Sequence, residues 1–138
     1  MNWKLIAQLS LFGLAMGIAT VFVIPSTTEP FFWLLIFLIC AYIIATRATG
    51  LYFLHGLMVS VFNSAWITAS HVLLFDRYIA NHADEAAMMA SMPLSPRLTM
   101  AVMRPVIGVV SGLVLGLFAL IASRLVGRAR RQAPAGRG

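Results

Sequence analysis

Residues 51–75, LYFLHGLMVSVFNSAWITASHVLLF, run for twenty-five positions without an Asp, Glu, Lys or Arg. Coiled as an α-helix at ~1.5 Å per residue, the segment is longer than the ~30 Å hydrocarbon layer of a bilayer. At about 100° per residue, Gly56, Ser60, Asn63, Ser64, Ser70 and His71 fall in one sector of about 120°, with His55 at its edge. The opposite side is mainly Leu, Val, Phe and Ala, with Trp66 and Thr68 as exceptions. Asn and His are costly against lipid, so this sector must look into protein or water. It is either a set of interhelical hydrogen bonds or a polar path for a small molecule.

The rest of the chain has the same character. Of 138 residues, 61% are hydrophobic and 10% charged, with a mean hydropathy of +0.92. A soluble domain carries about 25% charged residues, so this chain lacks the charge to cover a water-facing surface. Disorder requires the opposite composition. The expected fold class is all-α, an integral membrane four-helix bundle in one transmembrane domain over 1–123. Lipid offers no partner to backbone amides, so each crossing must be a complete helix.

Three further spans follow outward from 51–75. Residues 5–24 make the first, closed by Pro25. Residues 31–46 make the second, begun by Pro30 at a favourable first-turn position and anchored by Phe31, Phe32 and Trp33. This second span is short, and a snorkelling Arg47 extends it; a re-entrant segment is the alternative. The turn from Thr46 to Gly50 makes spans two and three an antiparallel hairpin. Residues 98–123 make the fourth, surest after Pro105, which is expected to kink or break it. The apolar run from Leu5 to Ile24 exceeds the usual 7–15 residue core of a cleaved signal, so an uncleaved first span is expected.

Charge sets the orientation. With the N-terminus inside, Lys4, Arg47 and the tail residues Arg124, Arg128, Arg130, Arg131 and Arg137 are cytoplasmic, seven basic residues in all. Arg77, Arg97 and the boundary residue Arg104 lie outside with all four acids, Glu29, Asp76, Asp84 and Glu85. Both termini are therefore expected in the cytoplasm. The tail, 124–138, reads as a disordered basic extension that meets anionic lipid headgroups. Nucleic acid is not an expected partner.

Small residues mark packing faces. Gly108, Gly112 and Gly116 repeat at every fourth position of span four, and Gly13 and Gly17 do so in span one. Helices in lipid associate by close backbone approach, so these two faces are natural partners, within one chain or across a homodimer.

Residues 76–97 form the one long loop. Asn81 is placed to cap a short amphipathic helix carrying Asp84 and Glu85 in its first turn and Met88, Met89 and Met92 on one side. Ser95-Pro96 reads as the next helix start. Arg104 needs a partner or water at its depth. With His71, Asp76 and Glu29 it forms a candidate cluster at the outer mouth, suited to an anion, a proton relay or a lock between loops. The spacing of His71, Asp76, His82, Asp84 and Glu85 matches no zinc signature, and the methionines are a weak Cu(I) set or ordinary apolar filler. Cys40 stands alone in an apolar run, which excludes a disulfide framework. GxSxG, HExxH and Walker motifs are absent, so neither an enzyme nor a cofactor is expected.

The stretch His55-Gly56-Leu57-Met58-Val59-Ser60 and the Gly108/Gly112/Gly116 repeat resemble the small four-span bacterial inner-membrane proteins of unknown function. That resemblance implies location in the bacterial cytoplasmic membrane and brings no activity with it. The expected role is a non-enzymatic accessory or scaffold subunit in a larger membrane complex. The alternative is a small transporter or channel, dimeric, using the polar face of span three.

Overall fold

The computed structural model describes residues 1–132 and is built from helices, with no strand among the described residues. Four helices are long and apolar enough to cross a membrane: α1 (Trp3–Phe22), α2 (Glu29–Arg47), α3 (Tyr52–Leu73) and α6 (Pro96–Gln132). Two short ones, α4 (Phe75–Asn81) and α5 (Ala83–Ala90), lie between α3 and α6.

Local chemistry fixes several boundaries. The Asn2 side chain caps α1 by accepting from the Leu5 N–H (3.0 Å). Glu29 opens α2, takes the Trp33 indole N–H (3.0 Å) and precedes Pro30 in the first turn. Between α2 and α3 the chain turns through Gly50 at φ +153° and Leu51 in the left-handed region, a conformation costing a non-glycine residue about 1–2 kcal/mol.

Helix α3 is the centre of the bundle, with α1 on one side and α6 on the other. The contacts rise together along α1 and α3, from Asn2 beside His55 to Thr20 beside His71, so these helices run parallel. Along α6 they descend, with Gly108 against Ser64, Gly112 against Leu57 and Gly116 against Phe53, so α3 and α6 are antiparallel. A methyl group added at Gly56 would lie 2.7 Å from the Gly116 amide nitrogen and the Leu115 carbonyl oxygen. On the other side, Gly13 meets the backbone of Asn63, and Gly17 meets Ser70.

The glycine faces of spans one and four are therefore not partners of each other. Both pack on α3, because α3 supplies small residues on two sides: Gly56, Ser60 and Ser64 toward α6, and Asn63 and Ser70 toward α1. The tight turn joins α2 to α3 as expected, but the pair is not the main contact of α2. Helix α2 leans chiefly on α6, where Ile36, Cys40, Ala41 and Ile44 share a buried cluster with Leu115 and Ala119.

Two further expectations are corrected. The loop 76–97 holds two short helices, and Asn81 does not cap the second; its amide donates to the Val21 carbonyl instead (2.7 Å). Helix α4 forms because Phe75, Tyr78, Ile79 and His82 recur at helical spacing, and Phe75 and Tyr78 bury against Val21, Met89 and Met100. The second correction is the tail: α6 passes through Pro105 and continues to Gln132, so 124–132 is helical rather than disordered. Leu, Val, Ala and Arg in that stretch are compatible with a helix. The remainder of the expected tail, 133–138, lies outside the described residues.

Close approach at Gly56 makes a clear prediction. Gly56→Val should destabilise the bundle by about 1–3 kcal/mol, since backbone rather than a flexible side chain stands in its way. Gly127→Ala, where an added methyl meets nothing, should not. Thermal unfolding in mild detergent reads both, and equal melting of the two variants would contradict the packing described.

Candidate functional site

The polar sector of α3 is buried, and α1 and α6 use most of it. Asn63 accepts the Gly13 N–H at its Oδ1 (2.8 Å), and the Ser60 hydroxyl donates to the Gly108 carbonyl (3.0 Å). Ser64 returns its hydroxyl to its own helix at Val61 (2.8 Å) while packing on Gly108. His71 Nε2 meets the Thr20 hydroxyl at 2.7 Å. Ser60, Asn63 and Ser64 also line a cavity; His71 does not.

That cavity has a volume of about 640 Å³, within the usual range for small-molecule sites. Its floor is Ser60, Asn63, Ser64, Gly108 and Ser111. One wall is Trp33, Leu34 and Phe37 of α2, and the facing wall is Met100, Met103 and Ile107 of α6. Met88 and Met89 of α5, with Met92 just beyond it, cover the upper part, and Ser26, Glu29, Glu85 and Arg104 line its polar end. Leu34 and Ile107 are 52% and 57% exposed, which marks the mouth as a lateral cleft between α2 and α6. The cleft exists because α2 closes on α6 around Cys40, Ile44, Leu115 and Ala119 but stands off nearer α5.

Arg104 finds its partners at this polar end. Its Nη2 donates to the Tyr78 hydroxyl (2.6 Å) and lies 3.4 Å from Glu85 Oε2. The Tyr78 hydroxyl donates to Glu85, and Ser26 donates to the other Glu85 oxygen (2.8 Å). Glu85 thereby ties α5 to α4, to α6 and to the α1–α2 link. Tyr78 is fully buried and stacked between His71 and His82, each ring centroid 4.1 Å away, with the Arg104 guanidinium 5.1 Å from its ring. The His82 Nδ1–H donates to the Tyr78 carbonyl (3.0 Å), while His82 Nε2 and His71 Nδ1 are buried without a partner.

The expected outer cluster is thus only partly assembled. Asp76 pairs with Arg97 (3.1 Å) at an exposed position, side chains 84% and 56% accessible respectively, where an ion pair is worth little. Glu29 lines the cleft and forms no hydrogen bond or ion pair with Arg104, and His71 meets Tyr78 and Thr20 instead. Arg104 took Glu85 because α4 folds and swings α5 over the cleft. Tyr78, Thr20 and Ser26 were missed. The signal for Tyr78 was available in the aromatic spacing of Phe75, Tyr78 and His82. No group of three or more His, Cys, Asp or Glu gathers as a metal-ligand set among the described residues.

No protein-family model, curated protein or solved structure matches the chain, so any functional reading starts from this geometry.

Burial holds the Tyr78 phenol well above its ordinary range; Arg104 pulls the other way, and the hydrogen bond to Glu85 adds to the rise. The folded pKa lies above the unfolded ~10. The associated stability is therefore complete below about pH 10 and declines as pH rises through the folded value. Tyr78→Phe should cost about 1–3 kcal/mol at neutral pH, since it leaves buried polar groups one partner short. It should also flatten the alkaline loss. Melting curves from neutral to strongly alkaline pH check this; an unchanged alkaline limb in Tyr78→Phe would contradict it.

Proposed function

We propose that this chain is a non-enzymatic four-span protein of the bacterial cytoplasmic membrane, both termini cytoplasmic, that holds an amphiphilic molecule in the cleft between α2 and α6. The observation that carries the reading is the cleft itself. Its mouth faces sideways between two apolar helices, and its interior grades from Trp33, Leu34, Phe37 and Ile107 to Arg104, Glu85, Glu29 and Ser26. With the long helices upright in a bilayer, the mouth meets acyl chains and the polar end sits toward the headgroups. An apolar tail and a polar head are therefore accommodated together.

Orientation rests on the sequence's seven basic residues on the side of both termini and the α2–α3 turn, against Arg77, Arg97 and the boundary residue Arg104 on the other. The last turns of α6 present Arg124, Arg128 and Arg131, each worth about 1 kcal/mol toward anionic headgroups when near the surface. As an accessory subunit, the protein would present or sequester its amphiphile for a larger membrane complex. A second reading, a small carrier, is favoured by Ser60, Asn63 and Ser64 on the cleft floor, since they give a polar head somewhere to go.

Amphiphile retention is the test. Protein purified in mild detergent should carry about one lipid-like molecule per chain, read by native mass spectrometry and by solvent extraction. Ser111→Phe, which fills the cleft from α6, should lose it while keeping the helical melting transition. Absence of a retained amphiphile from the unaltered chain, or equal retention by Ser111→Phe, would overturn the reading.

A further inference from the structure

The polar end of the cleft is unevenly charged. It carries one guanidinium, Arg104, and two carboxylates, Glu29 and Glu85. Arg104 has 18% of its side chain exposed, and Nη2 is its one nitrogen with a hydrogen-bond partner among the described residues. At 3.4 Å, the Glu85 contact is longer than the ~2.7–2.9 Å of a strong charge-assisted bond, and it is not the two-pronged pairing that Arg makes with an oxyanion. Glu85 has two other donors, Tyr78 and Ser26, so it stays hydrogen-bonded if Arg104 turns to a ligand. Glu29 gives one oxygen to Trp33 and sits one turn from Ser26, which reaches Glu85.

A second observation lies deeper. Asn63 lines the cleft and is 2% exposed, and its Nδ2 has no hydrogen-bond partner. Because Oδ1 is held by the Gly13 N–H, the amide cannot turn over to hide the unused donor. A buried donor left unpaired costs about 1–3 kcal/mol, and a ligand acceptor removes that cost. Arg104 stands one turn above Gly108 on α6, and Gly108 packs on Ser64, next to Asn63. The Arg104 backbone is thus a helical rise of ~6 Å beyond the level of Gly108, so Arg104 and Asn63 stand at successive levels of the cleft, as the phosphate and ester carbonyls do along a phospholipid.

We propose that the ligand is a zwitterionic phospholipid bearing a primary ammonium, with its phosphate on Arg104, its ammonium between Glu29 and Glu85, and an ester carbonyl on Asn63. This rests on the amphiphile reading above and narrows it. An anionic headgroup would satisfy Arg104 but leave both carboxylates facing a further negative charge. A phosphoethanolamine head balances both, and its ammonium supplies three donors to carboxylate oxygens. A choline head offers no N–H to those oxygens.

Native mass spectrometry of the full chain, exchanged into detergent with equal amounts of phosphatidylethanolamine, phosphatidylglycerol, phosphatidylcholine and diacylglycerol, tests the proposal. Phosphatidylethanolamine should be retained at least about tenfold over each of the others. Glu29→Gln, which keeps an acceptor for Trp33, should erase its advantage over phosphatidylcholine. Arg104→Gln should reduce retention of all three phospholipids toward that of diacylglycerol. Free phosphoethanolamine should not bind; binding as tight as the lipid's would overturn the lipid as the source. Retention of all lipids alike, or preference for phosphatidylglycerol, would overturn this inference while leaving the amphiphile reading intact. Retention of none would overturn both.

Discussion

Everything in this bundle depends on how closely α3 is approached from two sides. Helices with apolar outer faces gain little by hiding those faces from lipid, so their arrangement is set by where backbones touch and where polar groups find partners. Gly13 and Gly17 let α1 reach Asn63 and Ser70, while Gly56, Gly108, Gly112 and Gly116 bring α3 and α6 together. The hydrogen bonds from Gly13 to Asn63 and from Ser60 to Gly108 form only at such separations. The polar sector of α3 is thus an adhesive between helices along most of its length.

This central sandwich leaves α2 with less to hold. It closes on α6 through Cys40, Ile44, Leu115 and Ala119, then stands away and leaves the cleft. The α4–α5 segment covers the widened end. Burial of Phe75 and Tyr78 directs α5 across the opening, and Glu85 fastens it to Tyr78, Ser26 and Arg104. The methionines of α5 and α6 that line the cleft are flexible and polarizable, suited to a wall that must fit an irregular apolar chain.

The sequence made the four long helices legible because each is an apolar run ended by Pro, Gly or charge, and the bounds differ mainly at helix ends. The polar sector of α3 was equally visible, since its spacing depends on one helix alone. What could not be read was pairing. Glycine faces on α1 and α6 look alike in the sequence, and nothing local states that each seeks α3 rather than the other. Arg104 was recognisable as a residue in need of a partner, but its choice of Glu85 over Asp76 depends on α4. That helix lies in a segment whose polar residues read as loop, although the spacing of Phe75, Tyr78 and His82 marks it. The basic tail differs for another reason: composition suggests disorder, while α6 continues over 124–132 in spite of Gly127, helped by Leu125, Ala129 and the arginines.

Disulfide trapping in native membranes tests the central arrangement most directly. On a Cys40→Ala chain, Thr20→Cys combined with His71→Cys should cross-link efficiently on mild oxidation, because those side chains meet in the α1–α3 contact. Ser10→Cys combined with Ser111→Cys, which stand at one level of the bundle, should not, because α3 lies between α1 and α6. Cross-linking of the second pair in preference to the first would contradict the account.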